Sequence, residues 1–416
     1  LKGNCSSRGW MINSLSEAAA QAYGDLYDNV GHDAATGATG MLDDLVAFWV
    51  NSAEFWKDEP GILGYELINE PFAGDFFKDP TILLPGNAGS KNLARMYDAI
   101  SAAVRPRDPR HIVFFEPVTW GMVLNGKIVG SGFSHVPGGD EFKNASALSF
   151  HYYCATFVPD YPSKPNLRKT VCDDVIGPLV FKAVQEDVRS MGGAAIMTEG
   201  LSCGPGAAME ECVAVAQHLD TGLFSWTDYD LSQGEVWDPG REVEMLWARV
   251  YARATAGMPL NTTFDHATRA FTFCFAPDPL VQGPTEIFVG SQFNYPQGAT
   301  IDCGTGSLLT CAPARIPPAG AGNASAVDTV FVTMDRGGGG GGRGKEEEEK
   351  ESEGFAPQCI TITAETKTSS KAVKGTMKET AATRAAMALD GLLAGFWSDK
   401  DQYLLTNLNS NSTSNS

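Results

Sequence analysis

The chain is short of positive charge. It has 31 Lys and Arg against 50 Asp and Glu, a formal net charge of −19. That balance argues against nucleic acid as a partner, because phosphates demand clustered cations. It also disfavours docking on an anionic membrane by charge alone. No apolar run approaches the ~18 uninterrupted residues of a spanning helix, so no transmembrane segment is expected. No basic-then-apolar leader can be read, and the chain opens on Leu1. No glycine-rich phosphate fingerprint follows an apolar run, and no Cys/His spacing fits a metal. Neither a metal nor any other cofactor is expected. There is no internal repeat.

The 416 residues are 43% apolar, enough for two domains, one of them large. With 45 Gly and 23 Pro, many loops are expected. Among nine Cys, Cys154 and Cys172 bracket a polar loop, and Cys203 and Cys212 bracket a Gly/Pro turn. Each pair reads equally as a loop-stapling disulfide or as two buried thiols. Sequons at Asn4, Asn144, Asn261, Asn323 and Asn411 are compatible with a secretory route. A secreted or lysosome- or vacuole-like compartment is favoured over the cytoplasm.

Strand-like and helix-like segments alternate. Apolar positions at helical spacing predict helices over 15–30, 41–57, 90–105 (capped by Ser90), 174–191, 208–219 and near 241–256. Between them lie five short apolar runs, at 62–69, 111–118, 147–153, 193–200 and 222–230. Such runs read as parallel strands buried on both faces by helices. Each ends in polar residues: Asn69 and Glu70, Glu116, His151 to Tyr153, Glu199, and Trp226 with Asp228. Function spread over the carboxyl ends of successive strands is the arrangement of a (β/α)8 barrel. The predicted fold is therefore α/β, a TIM barrel over 1–258. An antiparallel β-sandwich-like domain follows over 259–365, where the patterning turns to alternation. It is interrupted at 336–354 by a glycine run and a charge run expected to be disordered. A low-complexity tail over 366–416 completes the chain, with one helical stretch at 380–396.

Two strand-end carboxylates three strands apart suit glycoside hydrolysis, in which one carboxyl protonates the leaving oxygen and the other attacks the anomeric carbon or activates water. Asn69 could bond a sugar 2-OH. Tyr153 could donate to the nucleophile and keep it ionised. Trp226 offers an apolar face to a sugar ring. Glu66, on the parity of Glu70 but deeper, reads as a structural carboxylate paired with a buried base. Glu116, Trp120, Asp228 and Glu235 are candidates for the rim of the cleft. Phe72 and Phe76 are candidates to meet a lipid or aglycone, although loop aromatics more often just pack.

The motifs "INEP", "FHYY", "TEG" and "FSW", in this order, resemble glycoside hydrolase family 5. The longer segments "QAYGDLYDN", "GYELINEPFAGD", "MYDAI", "HIVFFEPVTW" and "WTDYDLSQGEVWDPGR" are similar to its endoglycoceramidase branch and to relatives acting on glucosylceramide or steryl glucosides. The resemblance covers about 15–275. It implies a retaining glycosidase of glycosphingolipids or related glycolipids, with Glu70 as acid/base and Glu199 as nucleophile. It implies that Asn69, His151, Tyr153 and Trp226 line the sugar site, that the partner is a glycolipid or oligosaccharide, and that peripheral membrane contact is compatible with the substrate. Alternatives are a family 5 β-glucanase and a non-catalytic glycolipid-binding protein. Two departures stand out. Glu199 is followed directly by Gly200, where the family places an aromatic residue and then glycine. The N-E-P strand is the fourth of eight in the family, yet nothing ahead of residue 62 reads as a buried strand with the family's early arginine or histidine–aspartate cluster. The expectation is an N-terminally truncated chain, inactive or poorly folded as written, whose full-length parent is a glycosidase.

Overall fold

The computed structural model describes residues 13, 15–31, 39–118, 123–124, 127–128, 130–154, 167–201, 203, 207–229, 240–304, 309–319, 327–334 and 356–365. Trp120, Glu235, the 336–354 run, the 366–416 tail and the helix expected at 380–396 lie outside these residues.

Two helices come first. Helix α1 (Glu17–Tyr27) starts where the Ser16 hydroxyl accepts the amide of Ala19. Helix α2 (Met41–Trp56) starts where Asp43 accepts the amide of Gly40. The Trp49 indole N–H of α2 donates to Leu67 O at 3.0 Å and pins the helix to the first strand segment.

Five parallel strands follow: β1 (Gly64–Glu66), β2 (Ile112–Phe115), β3 (Ser146–Tyr152), β4 (Ala194–Gly200) and β5 (Ser225–Trp226). They lie side by side in chain order. Helices α3 (Ala94–Val104), α4 (Gly177–Met191) and α5 (Ala207–Gly222) make the crossovers after β1, β3 and β4. Every residue of β3 is buried, as a strand covered on both faces must be. Phe150 of β3 packs edge-on against Phe181 of α4 and against Phe224. Ser90 does not cap α3. The chain is already helical from Asn87, a π-helical turn (Gly89–Leu93) leads into α3, and the Ser90 hydroxyl donates to Asn87 O.

The sheet is rolled. Thr198 of β4 donates its hydroxyl to Glu66 Oε1 of β1 at 3.0 Å. In a flat sheet three inter-strand spacings would hold these strands ~14 Å apart. Side chains meeting across that span face the inside of a barrel wall. Among the described residues, nothing pairs with the outer edge of β1 or of β5.

After α6 (Arg241–Trp247) the chain turns to antiparallel structure. The helix expected to reach residue 256 stops at Trp247, and Tyr251–Ala254 forms strand β6. Pairing of β6 with β9 (Thr285–Phe288) overrides the helical propensity of its Ala and Arg. One sheet has the order β12 (Arg315–Ile316), β10 (Ala299–Asp302), β14 (Gln358–Ala364), β8 (Phe271–Pro277), β7 (Gly257–Phe264). The other has the order β11 (Leu309–Ala312), β13 (Thr329–Met334), β9, β6. Alternate residues Phe271, Phe273 and Phe275 of β8 enter a core with Ile287, Val330, Val332, Ile360 and Ile362. Disulfides join Cys154 to Cys172 and Cys203 to Cys212, so both pairs are bridges and not free thiols. Two further bridges, Cys274–Cys359 and Cys303–Cys311, lie within the β-domain.

Candidate active site

The site forms where β1, β3 and β4 deliver their carboxyl ends. Past β1 the chain reaches exposed Asn69, then Glu70, whose φ of 44° is left-handed. A non-glycine residue there is strained and needs its surroundings to hold it. Its amide donates to Glu116 Oε2 at 2.6 Å.

Glu199 reaches the same place through a bulge. Phe150 of β3 pairs with Met197, but the next pair is His151 with Glu199, so Thr198 is an extra residue on β4. A bulge lets consecutive side chains serve one face. Thr198 turns inward to Glu66, and Glu199 still faces His151. This local geometry accommodates the unusual "TEG" sequence.

His151 is the hub, with a fully buried side chain. Its Nδ1 lies 2.9 Å from Glu70 Oε1, 3.5 Å from Glu199 Oε2 and 3.6 Å from Glu116 Oε1. Nδ1 thus faces three carboxyl groups at once, with Glu70 at hydrogen-bond distance. Nε2 is buried without a hydrogen-bond partner among the described residues. Glu70 and Glu199 each keep about a fifth of their side-chain surface open to solvent. The nearest oxygens of the two, with His151 Nδ1, lie within 4.8 Å of one another. That group, and the neighbouring set of Glu66, Glu116 and His151, has the donor types and closeness to hold a cation.

Tyr153 donates its hydroxyl to Glu199 Oε2 at 3.0 Å. Burial, then the Glu199 charge and this bond, push its phenol well above the ordinary tyrosine range, so it remains a donor. Trp226 is half-buried against the core, and the Arg249 guanidinium sits 4.6 Å over its ring. Arg249 is held by a buried pair with Asp220 at 2.9 Å.

Two sequence readings change, those of Glu116 and Glu66. Glu116 is not on a rim: it is 1% exposed, beneath Glu70. Strand β2 ends at Phe115, and the turn tucks the next carboxyl inward. Burial, reinforced by Glu66, Glu70 and Glu199 and opposed by the Glu70 amide, pushes Glu116 up to about 9. Glu66 has the Thr198 hydroxyl as its hydrogen-bond partner instead of a buried base. Asp228 accepts the Trp247 indole N–H at 2.7 Å, which ties the loop after β5 to α6. Sequence reasoning also passed over Tyr23 of α1 as a site neighbour. Its phenol is raised by burial and by the charges of Glu70 and Glu116. An aromatic series leads outward from it: Tyr23 to Phe72 at 6.0 Å, Phe72 to Phe76 at 5.8 Å, and Phe76 stacked on Phe77 at 4.4 Å. Phe77 is 55% exposed, and Leu83 and Leu84 on the same loop are also exposed.

Comparison with known proteins identifies the family. The family described as Cellulase (glycosyl hydrolase family 5) matches residues 11–234, and the glycoside hydrolase family 5 C-terminal domain matches 249–317. The chain belongs to glycoside hydrolase family 5. It is 32% identical over 306 residues to an endoglycoceramidase of Hydra vulgaris, covering 71% of this chain and 53% of that one. It is 32% identical over 289 residues to an endoglycoceramidase of Cyanea nozakii, covering 65% and 51%. The chain thus spans about half the length of these relatives. Endo-glycoceramidase II from Rhodococcus sp., solved as a lactosyl-enzyme intermediate, shares the fold with a TM-score of 0.60 at 17% identity, over 86% of this chain and 70% of that one.

Proposed function

We propose that the protein is a retaining β-glycosidase that cleaves the sugar from glycosphingolipids or related glycolipids. The observation that carries this reading is the convergence of Glu70 and Glu199 on one nitrogen of His151. Such close carboxyls leave little room for a water between them, and a separation of ~5 Å belongs to retention. Glu199 attacks the anomeric carbon while Glu70 gives its proton to the leaving oxygen. In the second half, Glu70 takes a proton from water, the water oxygen bonds to the anomeric carbon, and Glu199 leaves as the carboxylate. Tyr153 stabilises the Glu199 anion before attack and after release. Asn69 bonds the sugar 2-OH, and Trp226 receives the ring.

The lipid half of the reading rests on the exposed apolar loop beyond β1. Phe77, Leu83 and Leu84 are exposed apolar side chains there, and ring contacts lead from Phe77 through Phe76 to Phe72. Exposed apolar side chains beside the site suit the aglycone of a glycolipid. The similar proteins of Hydra and Cyanea carry the name endoglycoceramidase, which supports the same substrate class.

The test is incubation of the protein, with whatever its gene encodes around these 416 residues, with a fluorescent lactosylceramide and separately with a β-glucan, alongside Glu70→Gln and Glu199→Gln. Release of intact disaccharide and ceramide by the wild type and by neither variant is the expected result. Cleavage of β-glucan alone would move the assignment to a glucanase. Glycolipid binding with no turnover would make it a binding protein.

A further inference from the structure

The most unusual group in the molecule outside the reacting pair is Glu116. It is a carboxyl with 1% exposure that has no Lys or Arg partner among the described residues, where its Oε1 also lacks a hydrogen-bond partner. Burying such a group costs several kcal/mol unless something uses it. Its surroundings are ordered on both sides. Below, the fully buried Tyr97 clamps the backbone of residue 116: its hydroxyl donates to Glu116 O at 2.7 Å and accepts the Glu116 amide at 3.2 Å. Above, Oε2 takes the amide of Glu70, the residue with left-handed backbone.

We propose that Glu116 is a positioning residue for the acid/base step: anchored by Tyr97, its carboxyl fixes the amide of Glu70 and so aims the Glu70 side chain at His151 and the glycosidic oxygen. The inference rests on the glycosidase reading above. A left-handed glutamate before Pro71 would relax without an acceptor for its amide, and the side chain would swing with it. Misplacing a reacting group by about 1 Å costs roughly 100-fold in rate. The groups facing Glu116 are Glu66 and Glu70 from the β1 segment, His151 from β3, Glu199 from β4, Tyr97 from α3 and Tyr23 from α1. Three of these six, Glu66, Glu70 and Glu199, are carboxyl groups close enough to repel a further anion, so Glu116 works uncharged. It then serves as a hydrogen-bond acceptor that adds no negative charge beside Glu70 and Glu199. Glutamine can do the same, because its amide oxygen reproduces the acceptor in the same volume.

The experiment measures kcat, KM and the pH profile for wild type, Glu116→Gln and Glu116→Ala on a soluble aryl lactoside, with thermal midpoints recorded for each. Glu70→Gln and Glu199→Gln serve as references. The expected result is that Glu116→Gln keeps kcat within about threefold and leaves both limbs of the profile in place. Glu116→Ala, still folded, loses about 10- to 100-fold in kcat with KM nearly unchanged. A glutamine variant as impaired as the alanine variant, or with its basic limb moved down by a pH unit, would overturn the proposal by showing that a charge is required. An alanine variant at wild-type rate would overturn it alone and leave the glycosidase reading intact. No turnover by wild type, or undiminished turnover by the Glu70 and Glu199 variants, would remove both together.

Discussion

The hydroxyl of Tyr153 donates to Oε2 of Glu199 at 3.0 Å, the same oxygen that lies 3.5 Å from His151 Nδ1. The Glu199 carboxylate, the proposed nucleophile, thereby sits between a phenol and an imidazole. Removing the phenol strips one donor from the anion. Tyr153→Phe is expected to lower kcat by about 100-fold, the usual loss of one preorganised donor. The acid limb of the pH profile should move to higher pH, because the anion loses support. Steady-state kinetics across pH checks both. An unchanged profile would mean that the bond is incidental.

Glu116 makes a separate prediction about stability. In the unfolded chain it ionises near the ordinary glutamate value of ~4.3; folded, it is pushed up to about 9. Between these values the folded state binds the extra proton. The stability Glu116 contributes is therefore present at low pH and lost as pH rises through that window, by up to ~1.4 kcal/mol per pH unit. Glu116→Gln has no proton to lose. It should melt higher than wild type at pH 8 and show a flatter dependence of Tm on pH. Parallel Tm-against-pH curves for the two proteins would show that the group is ionised in the fold.

The apolar loop beyond β1 separates lipid recognition from chemistry. Phe77 is 55% exposed and Leu84 is also 55% exposed, so neither supports the core heavily. Replacing both by serine should raise KM for a ceramide-linked substrate by about tenfold, the worth of roughly 1.4 kcal/mol of apolar contact. Turnover of a soluble aryl glycoside should stay level. Equal losses on both substrates would place the loop's role in folding.

Beneath the sheet, Asp108 gathers four donors. Tyr65 O–H donates at 2.6 Å, and the amides of Arg110 and His111 and the His111 ring also contact it. Burial works to raise this carboxyl, yet the hydrogen bonds bring it below the usual aspartate range. Asp108→Ala leaves the Tyr65 hydroxyl and two amides without their acceptor. A loss of about 2–4 kcal/mol is expected, read as a lower midpoint in urea. Activity per folded molecule should be unchanged, since Asp108 lies at the end of the sheet away from the carboxylates.

Much of this was readable in one dimension. Five apolar runs became five parallel strands, and the change to alternation after residue 259 marked antiparallel sheets. Glu70, His151, Tyr153 and Glu199 could be picked out because each closes a buried run with a polar group, and the structure brings these four together. Glu116 met the same criterion and was placed on the rim. Nothing in "HIVFFEPV" tells that the strand stops at Phe115 and the next carboxyl folds beneath its neighbour. Residues 251–254 looked like the end of a helix because Ala and Arg favour one locally. Their strand partner lies some thirty residues on.

Periodicity and composition determined on their own the class of fold, the order of its elements and which strand ends carry acid. These depend on local burial, which neighbouring residues report. The tertiary structure decided which carboxyl is buried, which cysteines pair at Cys274–Cys359, and that Arg249 covers one face of Trp226. It also decided that a single extra residue, Thr198, turns Glu199 toward His151. Those outcomes depend on distances between groups far apart in the chain, and a pKa or a register is a property of that assembled field, absent from any one stretch of sequence.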